Sequence, residues 1–82
     1  MELSELKKYE LVNSCETIQN LKTLVKDFGD VVGSRNIVWS AEKTCNNIDL
    51  IVEGKLPINH VTRAYGLRQQ LMYLLYYNNI KF

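Results

Sequence analysis

The sequence predicts an all-α fold of four or five short helices in one domain spanning residues 1–82. Three observations carry this expectation. Apolar residues recur every three or four positions through most of the chain, the period of an amphipathic helix. Glycine and proline are few, 4 and 1, and they fall between the periodic stretches. A single core organises roughly 50–200 residues, so 82 residues make one domain. The 46 % hydrophobic and 23 % charged content excludes a disordered chain.

Each element has its own justification. Leu3, Leu6, Val12, Cys15, Ile18, Leu21, Val25 and Phe28 keep helical spacing apart from one longer step. Asn13-Ser14 is the place for a break, with Ser14 or Thr17 as the N-cap of a second helix. Gly29 and Asp30 stop that helix after Phe28. The stretch GDVVGSR is too short for an independent strand pair and reads as a loop. Ser34 is the next candidate cap. After it Val38, Ala41, Cys45, Ile48 and Val52 step by three and four, with Ile37 and Ile51 widening the stripe, up to Gly54. Pro57 suits the first turn of a short helix over Ile58–Tyr65, because its missing N–H costs nothing there. Gly66 stops that helix, and a last one runs from Leu67 to Tyr77, before Asn78-Asn79. The solitary Trp39 is expected as a core anchor, and Cys15 and Cys45 as small buried hydrophobes with no disulfide between them.

The formal net charge of +1 hides a split. Residues 1–53 hold all nine acids and six of the bases, a net of −3. Residues 54–82 hold Lys55, Arg63, Arg68 and Lys81 with no acid at all, a net of +4. A cationic segment beside an anionic one gives a neutral protein a local phosphate-binding face. The competing explanation is that acids are excluded because this tail is buried against a partner.

The segment VTRAYGLRQQLMYLL places Val61 and Tyr65 four apart, Gly66 where a positive φ is needed, Leu67 in the turn, and Met72 and Leu75 on the inner face of the next helix. This order of apolar residues about a glycine resembles the helix-turn-helix of bacterial and phage DNA-binding proteins. The longer stretch IDLIVEGKLPINHVTRAYGLRQQLMYLLYY resembles the three-helix units of invertase, transposase and small phage regulator families. The resemblance covers about forty residues from Ser40 onward, with residues 34–82 as the three-helix unit and 1–33 as a helical dimerisation segment. It departs from the family pattern at Thr62, where a small residue is usual, and at Arg68, where Ser or Thr often caps the recognition helix.

What the resemblance implies is a C-terminal helix-turn-helix whose second helix enters the major groove of double-stranded DNA. Arg68, Gln69, Gln70 and Tyr73 are then the base contacts, since arginine pairs with guanine and glutamine with adenine. Lys55, Asn59, His60, Arg63 and Lys81 become phosphate contacts that set register. The function expected is a sequence-specific transcriptional regulator, phage- or mobile-element-encoded and cytoplasmic. It acts as a homodimer, because one small motif with few cations binds too weakly alone.

A rival reading is an interaction module. SCETIQNLKTLV is similar to the Cys-x-Thr-Ile/Leu-x-x-Leu stretch of the nucleoid-associated H-NS family and its small Hha-type modulators, and WSAEK followed by GKLPINHV adds to that likeness. A phage inhibitor that binds a host regulatory or defence protein is the related possibility, for which Tyr73, Tyr76, Tyr77 and Phe82 would form the contact surface. An enzyme is not expected. His60 is the only histidine, no Cys or acid stands at metal-ligand spacing from it, and no serine lies in a G-x-S-x-G context. There is no phosphate-binding glycine loop, so no metal or cofactor is expected. The N-terminal MELSELKKYE lacks the apolar segment of a secretory signal, and no apolar run approaches the ~20 residues that cross a bilayer.

Overall fold

A computed structural model describes residues 4–32 and 37–81. The chain is mostly helical, with four α-helices among the described residues. The first, α1 (Glu5–Asn13), is capped by Ser4, whose Oγ accepts from the Lys7 N–H at 3.1 Å. It ends where Asn13 Nδ2 donates to the Tyr9 carbonyl and Ser14 Oγ to that of Glu10. Those side chains share the carbonyls of the last turn and help to satisfy the helix end. Of the two expected caps it is Thr17 that starts α2 (Ile18–Phe28), its Oγ1 accepting from the Asn20 N–H at 3.0 Å.

Two expectations fail in the middle of the chain. The stretch read as a loop contains β1 (Val31–Val32), which pairs antiparallel with β2 (Val38–Trp39), Val31 opposite Trp39 and Val32 opposite Val38. β-branched residues favour the extended backbone. Val31 is fully buried, so the small ribbon is held by the core and does not need to be stable alone. Because Val38 and Trp39 belong to the ribbon, the next helix, α3 (Ala41–Val52), starts later than expected. Its cap is Ser40, whose Oγ accepts from the Lys43 N–H at 3.1 Å, while Ser34 lies outside the described residues. Gly54 at φ +76° ends α3: its N–H donates to Ile51 and that of Lys55 to Leu50, which satisfies the last carbonyls.

The expected helix over Ile58–Tyr65 does not form. In its place are two 3₁₀ turns, Ile58–His60 and Ala64–Gly66, with Val61 extended between them (φ −106°, ψ 133°). Val61 and Thr62 are both β-branched, and the Thr62 hydroxyl accepts from the Ala64 N–H at 3.2 Å, a local bond that competes with helix. Tyr65 and Gly66 are both left-handed, at φ +56° and +74°. Glycine takes that conformation freely, while tyrosine must be held there by its surroundings. The Tyr65 ring meets Phe28 edge-on at 5.8 Å, and the Lys8 ammonium lies 5.0 Å from its centre. From this double turn α4 (Leu67–Tyr77) departs, with the bounds the sequence predicts, and it ends on left-handed Asn79.

One core unites the chain. Val12, Leu21 and Val25 meet Ile48, Ile51, Leu67, Leu71, Leu74 and Leu75 in a single cluster, so the 1–33 and 34–82 segments share their interior. The apolar stripe of α2, expected to pair subunits, is spent on this chain's own core against α3. Leu6 stays 70 % exposed. Met72, expected on the inner face of the last helix, faces outward, and Leu71 and Leu74 take the inner positions with Leu75. Cys45 is buried, Cys15 half-buried, and both are free thiols. Among the described residues no helix is long and apolar enough to cross a membrane.

Candidate nucleic-acid interface

The geometry around the start of α4 separates the expected base contacts into two pairs. Arg68 is half-buried: its Nε donates to the Val61 carbonyl at 2.8 Å and Nη2 to that of Asn59 at 2.9 Å. These charge-assisted bonds tie the irregular 59–61 segment to the first turn of α4. Gln70 turns inward, 8 % exposed, with Nε2 donating to the Cys15 carbonyl at 2.8 Å. That amide holds the α1–α2 connection and does not face solvent. Gln69 and Tyr73 are exposed.

The expected phosphate contacts all lie at the surface, as two pairs with His60 apart from both. Asn59 and Arg63 join Arg68 in one cleft of about 310 Å³, whose other walls are Ile37, Trp39, Val61 and Thr62. Lys55 and Lys81 border a separate hollow beside Leu56 and Pro57. Lys55 also pairs with Glu53 at 3.4 Å, an exposed ion pair of little strength. His60 is exposed, and its carbonyl accepts from Asn47 Nδ2 at 3.0 Å.

The cleft contains residues that sequence reasoning placed elsewhere. Trp39 is half-buried on β2 and serves as a wall of the cleft, not as the centre of the core. The Lys43 ammonium lies 4.4 Å from its ring centre, a cation–π contact. Ile37 lines the cleft with Trp39 two residues later, the spacing of one face of an extended chain. That alternation was the available signal, and it was concealed by the three-and-four spacing from Val38 to Ala41 and Cys45. Among the described residues no carboxylate lines the cleft. The ion pairs among the described residues are Lys22–Asp49 and Lys55–Glu53, so Lys43, Arg63 and Arg68 are in neither. Uncompensated cations around an aromatic ring and neutral hydrogen-bonding groups suit a polyanion that carries planar bases.

Further along α4 the outward face is uncharged: Gln69, Met72, Tyr73, Tyr76 and Tyr77. Tyr76 and Tyr77 are 78 % and 72 % exposed, and the Tyr73 ring lies 6.3 Å from that of Tyr77. A second cleft of about 580 Å³ runs between Tyr73 and Tyr77 of α4 and the Asn13–Thr17 connection. Comparison of the chain with protein-family models, curated proteins and solved structures finds no match.

Proposed function

We propose that this chain is a sequence-specific DNA-binding transcriptional regulator acting as a homodimer. The observation that carries the reading is the carboxylate-free cleft of Trp39, Arg63 and Arg68 at the start of α4, with Lys43 over the tryptophan. In this reading the two 3₁₀ turns and α4 take the place of the two helices of a helix-turn-helix, with Gly66 as the turn. Arg63 and Gln69 are the side chains left to read base edges, while Lys43, Lys55 and Lys81 neutralise phosphates and His60 hydrogen-bonds to the DNA backbone. Arg68 and Gln70 act by positioning α4.

Few cations per chain mean few phosphates neutralised, so a pair of chains is needed for useful affinity. Since the α2 stripe is buried within the chain, the pairing surface assigned here is the tyrosine face of α4. Tyrosine-rich surfaces without Lys, Asp or Glu have the composition of protein interfaces.

Anisotropy of a labelled duplex measured between 50 and 200 mM salt tests the reading. Affinity should fall steeply with salt, and Arg63→Ala should lower the slope of log K against log salt by about 1. A folded protein that binds no duplex at low salt overturns it. That outcome favours a second reading, a protein-interaction module or phage inhibitor docking on a host protein, for which the exposure of Tyr76 and Tyr77 is the specific observation.

A further inference from the structure

We propose that the Trp39 cleft is a stacking platform for an unpaired nucleobase, so that this chain engages single-stranded or locally opened DNA in addition to duplex. The inference rests on the nucleic-acid reading above and adds a ligand class that a helix in the major groove does not require.

A core of Leu, Ile and Val is complete without Trp39: Leu21, Ile48, Leu67, Leu71 and Leu75 are fully buried. The one indole of the chain stands instead on a two-residue strand, half-exposed, with its ring on a cleft. The cleft brings together the three kinds of group that hold a nucleotide. Indole supplies a π-face on which any base can stack. Asn59 and Thr62 supply neutral hydrogen-bonding groups for a base edge or sugar. Arg63, with Lys43 and Arg68, supplies positive charge for the flanking phosphates.

The Lys43 ammonium sits over the ring, 4.4 Å from its centre. A base seated on that side displaces the ammonium, which remains within reach of the phosphate the base brings with it. The exchange is favourable because a solvated cation–π contact is weak beside a stacked base and an ion pair. In a closed duplex every base is already stacked between neighbours and cannot reach a side chain in a cleft. Single-stranded and opened DNA have free π-faces.

Two features of the fold make the platform rigid. The strand that carries Trp39 is paired to Val31, which is fully buried. The opposite wall is fixed by the Arg68 guanidinium on the Val61 and Asn59 carbonyls. A preorganised cleft loses little conformational freedom on binding.

The experiment uses the single tryptophan as its own reporter. Full-length protein is titrated with a short oligothymidylate and, separately, with a duplex of the same length, following tryptophan emission and, with labelled strands, anisotropy. The expected result is saturable quenching by the single strand. Trp39→Ala should weaken single-strand affinity about tenfold and duplex affinity by a clearly smaller factor, whereas Arg63→Ala should weaken both alike. Trp39→Phe, which keeps a smaller ring, should restore most of the single-strand affinity and serves if the alanine variant unfolds. Duplex binding with no quenching by the single strand overturns the stacking platform and leaves the regulator reading intact. Equal losses for both ligands in folded Trp39→Ala also overturn it. Quenching without any duplex binding upholds the platform and removes the duplex regulator, and no binding of either strand form removes both.

Discussion

The two ends of α4 are built on one buried stripe and carry opposite chemistries. At its start, Arg63 and Arg68 stand with Trp39, Asn59 and Thr62 about a polar, cationic cleft. In its last turns, Met72, Tyr73, Tyr76 and Tyr77 form an uncharged face directed outward. Both lie in the segment that lacks acids, and each of the two explanations of that absence suits a different end. Beside the cleft, missing carboxylates leave the cations uncompensated for a polyanion. On the tyrosine face, missing charge of either sign lowers the cost of burying that face against a protein. A single average charge, or a single split of it, merges two surfaces of different chemistry.

The strongest way to break the comparison is to remove what both ends share. Leu71 is fully buried under α4, and Leu71→Ala should cost about 3 kcal/mol, lowering the thermal midpoint by more than about 10 °C and removing both surfaces together. Next in size, Arg68→Ala deletes two bonds to backbone carbonyls and should cost about 2 kcal/mol in urea unfolding. Arg63→Ala in the same cleft should stay within about 0.5 kcal/mol of the parent, because Arg63 is exposed. Equal stabilities for the two variants would show that Arg68 does not position α4. Gly66→Ala should cost about 1–2 kcal/mol. The position is left-handed, and an added Cβ would lie 3.1 Å from Tyr9 Cε2, so the tyrosine has to shift.

Smaller effects separate the ends from each other. Replacing Tyr76 and Tyr77 together by glutamate should leave the unfolding free energy within about 0.5 kcal/mol, since both are exposed. The same change should shift sedimentation toward the monomer; unchanged sedimentation of a dimer would place the pairing surface elsewhere. The smallest effect concerns the thiols. Burial raises the pKa of Cys15, and it raises that of Cys45 against the opposing pull of Lys26 and Lys22, with Asp49 adding to the rise. Raised folded-state values mean that the unfolded chain loses its thiol protons first. The stability this contributes is complete below about pH 8.5, the ordinary thiol value, and is lost as pH rises through the higher folded values. Urea midpoints should therefore decline above that pH, and the Cys45→Ala variant should show a shallower decline.

Where local chemistry decides an element, the sequence was sufficient. Thr17, one of the two expected caps, and Gly29 bound α2, and α4 runs from Leu67 to Tyr77 as its spacing predicts. Where a distant contact decides, local patterns misled. Val61 and Tyr65 stand four apart like helix neighbours, yet the Arg68 guanidinium, seven residues beyond Val61, claims the carbonyls of Val61 and Asn59. Val31-Val32 is too short to pair by itself, and pairs because Val31 is buried in a core drawn from the whole chain. The candidate site divides in the same way. Its cations were legible as charges without acids nearby. Trp39 was not, because its cleft exists only where the ribbon meets residues 59–68, and a large indole otherwise belongs in a core.

Gln70 has a consequence beyond the bond it makes. It is the one amide among the inward residues Leu67, Leu71, Leu74 and Leu75, and its target, the Cys15 carbonyl, lies 55 positions away in the chain. The leucines set which side of α4 faces inward, but apolar contact has no direction and leaves the angle within that stripe loosely defined. A step of one residue turns a helix by ~100°, which would carry the amide away from that carbonyl and leave a half-buried acceptor without its donor. The glutamine thus works as an index mark, sharpening the angular setting that the leucine stripe prescribes. With that setting fixed, Gln69 is outside and the tyrosines follow on their own side. What the helix presents to the world is chosen by the one polar residue it hides.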